Sequence, residues 1–300
     1  MSGIFNLQQL INGIQLGSIY ALIAIGYTLV YGIIKLVNFA HGDFYMLGTY
    51  AAYFAINFIM AQRGTPNVGI ILLISMATGA LVAFLSNRIA YRKLRYKPRL
   101  SALITAIGVS MFLEYFSSAL PFIGPSYRPF PQFLSIRYFN IGTAHFTNYQ
   151  LINVSIAVAL MLILTYIIKY TPLGMAMRAS SQDKDALRLM GIDLERIIDY
   201  TFIVGGSLAG AAGLLAGLTY PRIVPYMGIV PGLKAFIAAV LGGIGNILGA
   251  MLGGFILGIA EVVGYAINSI VGEGIAYAIL IVVLIFLPQG LFGKRTGEKV

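Results

Sequence analysis

Long runs without charge set the first limit on what this chain can be. Residues 10–34, 68–87, 150–168, 200–220 and 274–292 contain no Asp, Glu, Lys or Arg. A run of about 20 such residues is the length that crosses a hydrocarbon core about 30 Å thick. Four further apolar runs, 43–60, 100–120, 223–243 and 245–266, carry a single charged residue each. Composition agrees: 59% of the 300 residues are hydrophobic and 10% charged, against about 45–50% and about 25% in soluble domains. A secreted, nuclear or cytosolic enzyme is excluded. The chain reads as an all-α polytopic integral membrane protein with about 8–10 transmembrane helices, in a single transmembrane domain over 1–300.

Basic residues orient these runs. The stretch 88–99 holds Arg88, Arg92, Lys93, Arg95, Lys97 and Arg99 without an acid, 169–199 holds Lys169, Arg178, Lys184, Arg188 and Arg196, and the tail holds Lys294, Arg295 and Lys299. The positive-inside rule places all three on the cytoplasmic face, so the net charge of +10 reflects topology and not nucleic acid. Parity then predicts nine crossings with the N-terminus outside. Because the first ten residues carry no Lys or Arg, a cleavable signal peptide is not expected.

The run 223–243 is interrupted by Pro225, Gly228, Pro231, Gly232 and Lys234. Broken helices at membrane depth are tolerated where they are buried in protein or line a polar cavity, and they point to transport sites. Glycine at four-residue spacing (Gly13/Gly17, Gly206/Gly210, Gly213/Gly217, Gly245/Gly249/Gly253, Gly254/Gly258) predicts closely packed helix faces. Trp is absent, and 19 tyrosines supply the interfacial belt.

Several chemistries are missing. There is no Cys, and His41 and His145 are the only histidines, so thiolate and His-rich metal centres are excluded. Gly293-Lys294-Arg295-Thr296 suggests a nucleotide loop, but Pro288 stands where its first glycine belongs. No cofactor is expected in this chain.

The stretch 169–199 is the informative non-membrane piece. Ser180 reads as an N-cap with Asp183 at the third helical position, and Gly191 as the C′ stop. The predicted helix has about ten residues. Lys184 and Arg188 lie on one face, and Ala186, Leu187, Leu189 and Met190 on the other. A helix this short is marginal alone in water. Its five acids and five bases over the stretch suit a protein partner better than an anionic lipid surface.

Three stretches carry a resemblance. Asp185-Ala186-Leu187-Arg188-Leu189-Met190-Gly191 is similar to the E-A-A-x-x-x-G coupling motif of bacterial ABC importer permeases, with Asp for Glu and Leu for the second Ala. Leu36-Val37-Asn38-Phe39-Ala40-His41-Gly42-Asp43, and Gly232-Leu233-Lys234-Ala235-Phe236 leading to Val240-Leu241-Gly242-Gly243-Ile244-Gly245-Asn246, resemble the LivH-type permease subunits of bacterial branched-chain amino acid ABC importers. The resemblance spans essentially the whole chain. It implies a non-enzymatic permease in the bacterial inner (plasma) membrane that moves branched-chain amino acids. It also implies partners: a homologous second permease subunit, two cytoplasmic ATPase subunits that hydrolyse the ATP, and a periplasmic or lipid-anchored substrate-binding protein. The stretch 171–199 is then the cytoplasmic coupling loop, with Asp185, Ala186, Leu187, Arg188 and Gly191 on the ATPase. Import of urea or a short amide is the near alternative, since those permeases share the motifs.

Polar residues in lipid are costly and need an account. Asn38, His41 and Asp43 either line the path or form an ordinary cytoplasmic turn beside Lys35. Glu114 and Glu261 lie some four to six residues from the predicted outer ends of their spans, where they either snorkel or pair with Lys234 or Arg222. Lys234 could meet a substrate carboxylate. With Gly42, Gly242, Gly243 and Asn246 from the motifs, these are the candidate pathway residues. An ion-coupled secondary transporter would need several buried carboxylates, and only Glu114 and Glu261 qualify in the sequence. An intramembrane enzyme lacks any nucleophile–base constellation.

Overall fold

The computed structural model describes residues 6–94, 97–142 and 144–293. The expected cytoplasmic basic residues Arg95, Lys294, Arg295 and Lys299 lie outside that set. Helix α1 (Leu7–Ile34) opens with a capping box: Asn6 accepts from the Gln9 amide, and the Gln9 side chain accepts from the Asn6 amide. It is followed by α2 (His41–Ala61), α3 (Val68–Ser86), α4 (Arg99–Ala119) and α5 (Asn148–Tyr170). Two short helices, α6 (Pro172–Gln182) and α7 (Lys184–Leu189), precede α8 (Leu194–Thr219), α9 (Ile229–Gly242), α10 (Ile247–Ile267) and α11 (Ser269–Phe286).

Eight of these segments are long and apolar enough to cross a membrane. The expected ninth full helix is not formed. Its place is taken by α9, whose 14 residues reach about 21 Å at about 1.5 Å per residue. The break falls at Pro225 and Gly228, since Tyr220 to Gly228 run without helix, whereas Pro231, Gly232 and Lys234, also expected to interrupt the run, lie inside α9. Within the preceding segment, the strand β4 (Arg222–Ile223) pairs antiparallel with β1 (Arg128–Pro129), and β2 (Tyr138–Ile141) pairs with β3 (Ala144–Thr147) in a hairpin. Both pairs belong to segments at the outer end by the orientation that the basic residues give.

Helices α1 and α8 are buried along most of their length. The other long helices wrap them and turn apolar side chains such as Phe112, Leu162 and Ile285 outward, the pattern of a bundle solvated by lipid. Small-residue faces bring the helices together as expected. Gly17 of α1 meets Gly254 and Phe255 of α10, and Gly210 of α8 meets the Ser75 backbone of α3.

Two local expectations are corrected. The basic stretch 88–99 is not all loop. Helix α3 continues through a π turn at Asn87–Tyr91 and a short tight turn at Arg92–Leu94, so Arg88 and Arg92 stand on helix. In the other cytoplasmic stretch, Ser180 is not an N-cap. It lies within α6 and its hydroxyl donates to Met177 O. Thr171 caps α6 with Pro172 in the first turn, a start signal that precedes the one expected. Asp183 caps α7, accepting from the amides of Asp185 and Ala186, and α7 spans six residues instead of about ten. Gly191 is the stop expected: its φ is +77°, and Ile192 N donates to Leu187 O, closing the turn in the Schellman manner.

Candidate functional site

The connection from α1 to α2 re-enters the bundle. Lys35 closes α1 in the left-handed region at φ 61°, and the chain turns inward so that Asn38, His41 and Asp43 are all buried. A Cβ on Gly26 of α1 would overlap the His41 imidazole. Gly26 also faces Gly205, near the midpoint of α8. Helix α2 therefore begins within the membrane and not at its cytoplasmic surface, which rules out the ordinary-turn reading of Asn38 and His41.

The start of α9 meets the start of α2. A Cβ on Gly42 would overlap the carbonyl of Gly228, and a Cβ on Gly228 the carbonyl of Gly42, so only glycine lets these backbones touch. Two helix N-termini, each with partial positive charge, thus lie together at depth. Asp43, in the first turn of α2, accepts a 2.6 Å hydrogen bond from Ser110 Oγ. Ser110 stands in the middle of α4, and Glu114, four residues on, lines the same cavity as Asp43. A cavity of about 270 Å³ opens here, lined by Tyr27, Gly42, Asp43, Ser110, Glu114 and Gly232 among others.

The remaining candidates fall elsewhere. Glu261 and Lys234 form an ion pair at 2.5 Å with side chains 3% and 4% exposed, and Tyr20 Oη donates to the second Glu261 oxygen at 3.0 Å. The snorkelling reading of Glu261 is thereby excluded. The three side chains tie α9 to α10 and α1, and Lys234 does not line the cavity. Glu114 does not snorkel either, being buried beside Asp43. Gly242, Gly243 and Asn246 build the corner between α9 and α10. Gly242 packs on Gly249, Gly243 has φ +99°, and Asn246 caps α10 through the Gly249 amide and donates to Phe292 O.

Tyr27, Ser110 and Gly228 were not singled out from sequence as lining residues. Tyr27 and Ser110 lie on runs that read simply as spans, Gly228 was read only as a helix breaker, and the packing of α1, α4 and α9 brings the three together. Asp43 adds a buried carboxylate to the Glu114 and Glu261 counted from sequence, so the site is richer in acid than expected. A second cavity of about 540 Å³ lies towards the outer end, with Gln8, Gln15, Tyr149, Gln150 and Thr219 on its wall.

A cavity that opens on the face of a multi-pass bundle, between two broken-in helix ends, is the layout of a membrane permease. The chain matches the family described as branched-chain amino acid transport system / permease component over residues 9–287, and it belongs to that family. It is 41% identical over 307 residues to the high-affinity branched-chain amino acid transport system permease protein LivH of Escherichia coli, covering 99% of this chain and 98% of the relative. It is 40% identical over 307 residues to BraD of Pseudomonas aeruginosa, covering 98% of each chain. A probable LivH of Methanocaldococcus jannaschii is 26% identical over 296 residues, covering 92% and 89%. The protein is a multi-pass inner-membrane permease, not an enzyme, and works within a transporter that has further subunits.

Proposed function

We propose that this chain is one permease subunit of an ATP-driven importer carrying branched-chain amino acids. Its partners in this reading are a homologous permease, two cytoplasmic ATPases and a substrate-binding protein at the outer face. The permease itself holds no cofactor, and ATP is hydrolysed by the partners. The observation that carries the reading is the cytoplasmic pair α6–α7. Leu189 is 90% exposed and Met190 76% exposed at the end of a helix that lies between two spans and outside the lipid-facing wall. Exposed apolar side chains on a short mixed-charge helix need a protein surface to cover them. Leu187, by contrast, is buried and ties the helix to its own chain. The coupling role of Asp185, Ala186, Arg188 and Gly191 follows from their place on and beside that helix.

Two acids in the cavity favour a solute bearing a cationic group over urea or a neutral amide. The test is ATP-dependent uptake of radiolabelled leucine into vesicles containing the chain with its partner subunits. Uptake that needs ATP supports the reading, and leucine movement by this chain alone would overturn it.

A further inference from the structure

We infer that the mid-membrane cavity binds the zwitterionic head group of an α-amino acid, its ammonium on Asp43 and Glu114 and its carboxylate on the Tyr27 hydroxyl and the Gly42 amide. This inference rests on the import function proposed above and specifies where in this subunit the cargo is held.

Charge is the first ground. Asp43 and Glu114 both line the cavity, and among the described residues no Lys, Arg or His does. Two acids on one wall at low dielectric repel unless a cation or a shared proton intervenes. Ser110 satisfies one oxygen of Asp43 but brings no charge. A primary ammonium has three donors and fits between two carboxyl groups.

The second ground is independent of the acids. Tyr27 is 5% exposed and lines the cavity, yet its hydroxyl forms no hydrogen bond among the described residues. A tyrosine hydroxyl on a largely buried ring ordinarily has a partner, and this one is placed to donate to a solute in the cavity. The Gly42 amide is one of the first-turn N–H groups that a helix leaves without an intrahelical acceptor. Its neighbours His41 and Asp43 donate to Asn38 O and Ala40 O, while the Gly42 N–H finds no acceptor among the described residues. Gly232, whose side-chain position lies 3.5 Å from the Tyr27 hydroxyl and 3.6 Å from the Gly42 amide, leaves that space open. Hydroxyl and amide thus border the same space at paired helix N-termini, where a carboxylate is favoured.

Phe39, Ile107, Met111 and Leu233 complete the wall and present an apolar surface to a side chain. The volume, about 270 Å³, is just below the range of drug-sized sites, about 300–1,000 Å³, as a smaller solute requires.

The test uses the complete transporter in two arms. In the first, leucine uptake is measured for Asp43→Asn and Tyr27→Phe, with partner co-purification as the control for assembly. Loss of a hydrogen bond to a charged group predicts about ten-fold lower uptake at limiting leucine for either variant. In the second, 4-methylpentanoate, which lacks the ammonium, and 3-methylbutylamine, which lacks the carboxylate, compete with labelled leucine for the purified wild-type transporter without its binding protein. Neither should displace leucine at concentrations where unlabelled leucine does. Wild-type uptake by both variants, or full competition by either analogue, overturns the subsite and leaves the import function standing. Loss confined to Asp43→Asn, with uptake following a sodium or proton gradient, shows a cation site instead and overturns the assignment. Failure of the wild-type transporter to move any α-amino acid overturns both readings. The competition arm needs no variant, so a misfolded substitution does not protect the inference.

Discussion

The Tyr91 hydroxyl donates a 2.7 Å hydrogen bond to Asn38 Oδ1, while its ring stacks on Phe202 of α8 with centroids 5.7 Å apart. Tyr91 ends the π turn of α3, and Asn38 lies on the re-entrant connection that leads to Asp43. At the other end of the same turn, Asn87 and Arg88 donate to Asp199 of α8, and Arg92 pairs with Glu195 at 3.1 Å. Helix α8 begins directly after α7, so a continuous set of contacts runs from the cytoplasmic helices to the cavity wall. π turns in α-helices are frequent at functional places, and this one is held at both ends.

Tyr91→Phe keeps the stack and removes the hydroxyl. The Asn38 carbonyl oxygen then loses its donor in a buried setting, which costs about 1–3 kcal/mol. We expect a lower unfolding temperature for the purified chain and slower leucine uptake, with the ATPase subunits still attached. An unchanged melting profile would show that the bond does not hold the re-entrant connection.

Arg88 and Asp199 form a pair whose two members should not be equal. The Arg88 side chain is 53% exposed and that of Asp199 11%, so water and salt screen their attraction. Arg88→Ala is expected to cost about 0–1 kcal/mol. Asp199→Ala also removes the 2.6 Å acceptor of buried Asn87, and a hydrogen bond to a charged group is worth about 1.5–3 kcal/mol. Denaturation of the two variants side by side checks the order, and equal losses would contradict it.

Which parts of this architecture were visible in the sequence follows from where the information sits. Spans announce themselves through a local property, the absence of charge over a membrane thickness, and the break before α9 is equally local, written in Pro225 and Gly228. Gly191 was readable because a positive φ selects glycine whatever surrounds it. The burial of His41 and Asp43 was not readable in this way. A polar N-F-A-H-G-D stretch next to Lys35 has the composition of a surface turn, and only contact with Gly26 and Gly228 reveals its depth. Ser110 and Tyr27 are similar cases, since helical spacing alone does not tell which face of α4 or α1 meets Asp43. Ser180 misled because capping residues are common: it lies within α6, which starts at Thr171-Pro172, and the cap of α7 is Asp183, three residues later.

Lys234 and Glu261 test how a buried ion pair behaves in this bundle. Removing one partner leaves the other charge without its counter-ion at a site nearly closed to solvent, and such single changes cost about 3–5 kcal/mol. Lys234→Met and Glu261→Leu should each lower the yield of folded protein. The double variant should recover much of the loss, because a well-packed apolar pair often replaces a buried ion pair without penalty. Tyr20, which donates to Glu261, should lose its influence in the double background. Thermal unfolding of the four proteins completes the cycle, and additive losses would show that the pair is not coupled.

Leu189 separates stability from assembly. At 90% exposure it buries almost nothing within its own chain, so Leu189→Glu should alter stability by no more than about 0.5 kcal/mol. If α7 enters a groove on an ATPase subunit, the introduced charge must be desolvated there without a partner. Co-purification of the ATPase should then fall by about ten-fold or more, and leucine uptake with it. Gly191→Val provides the comparison. With φ at +77° and no atom within 4 Å of its side-chain position, it meets no steric neighbour but strains the backbone by about 1–2 kcal/mol. It should loosen the end of α7 and reduce uptake for each ATP hydrolysed while the spans remain folded. Normal coupling in both variants would show that the ATPase grips the permease elsewhere.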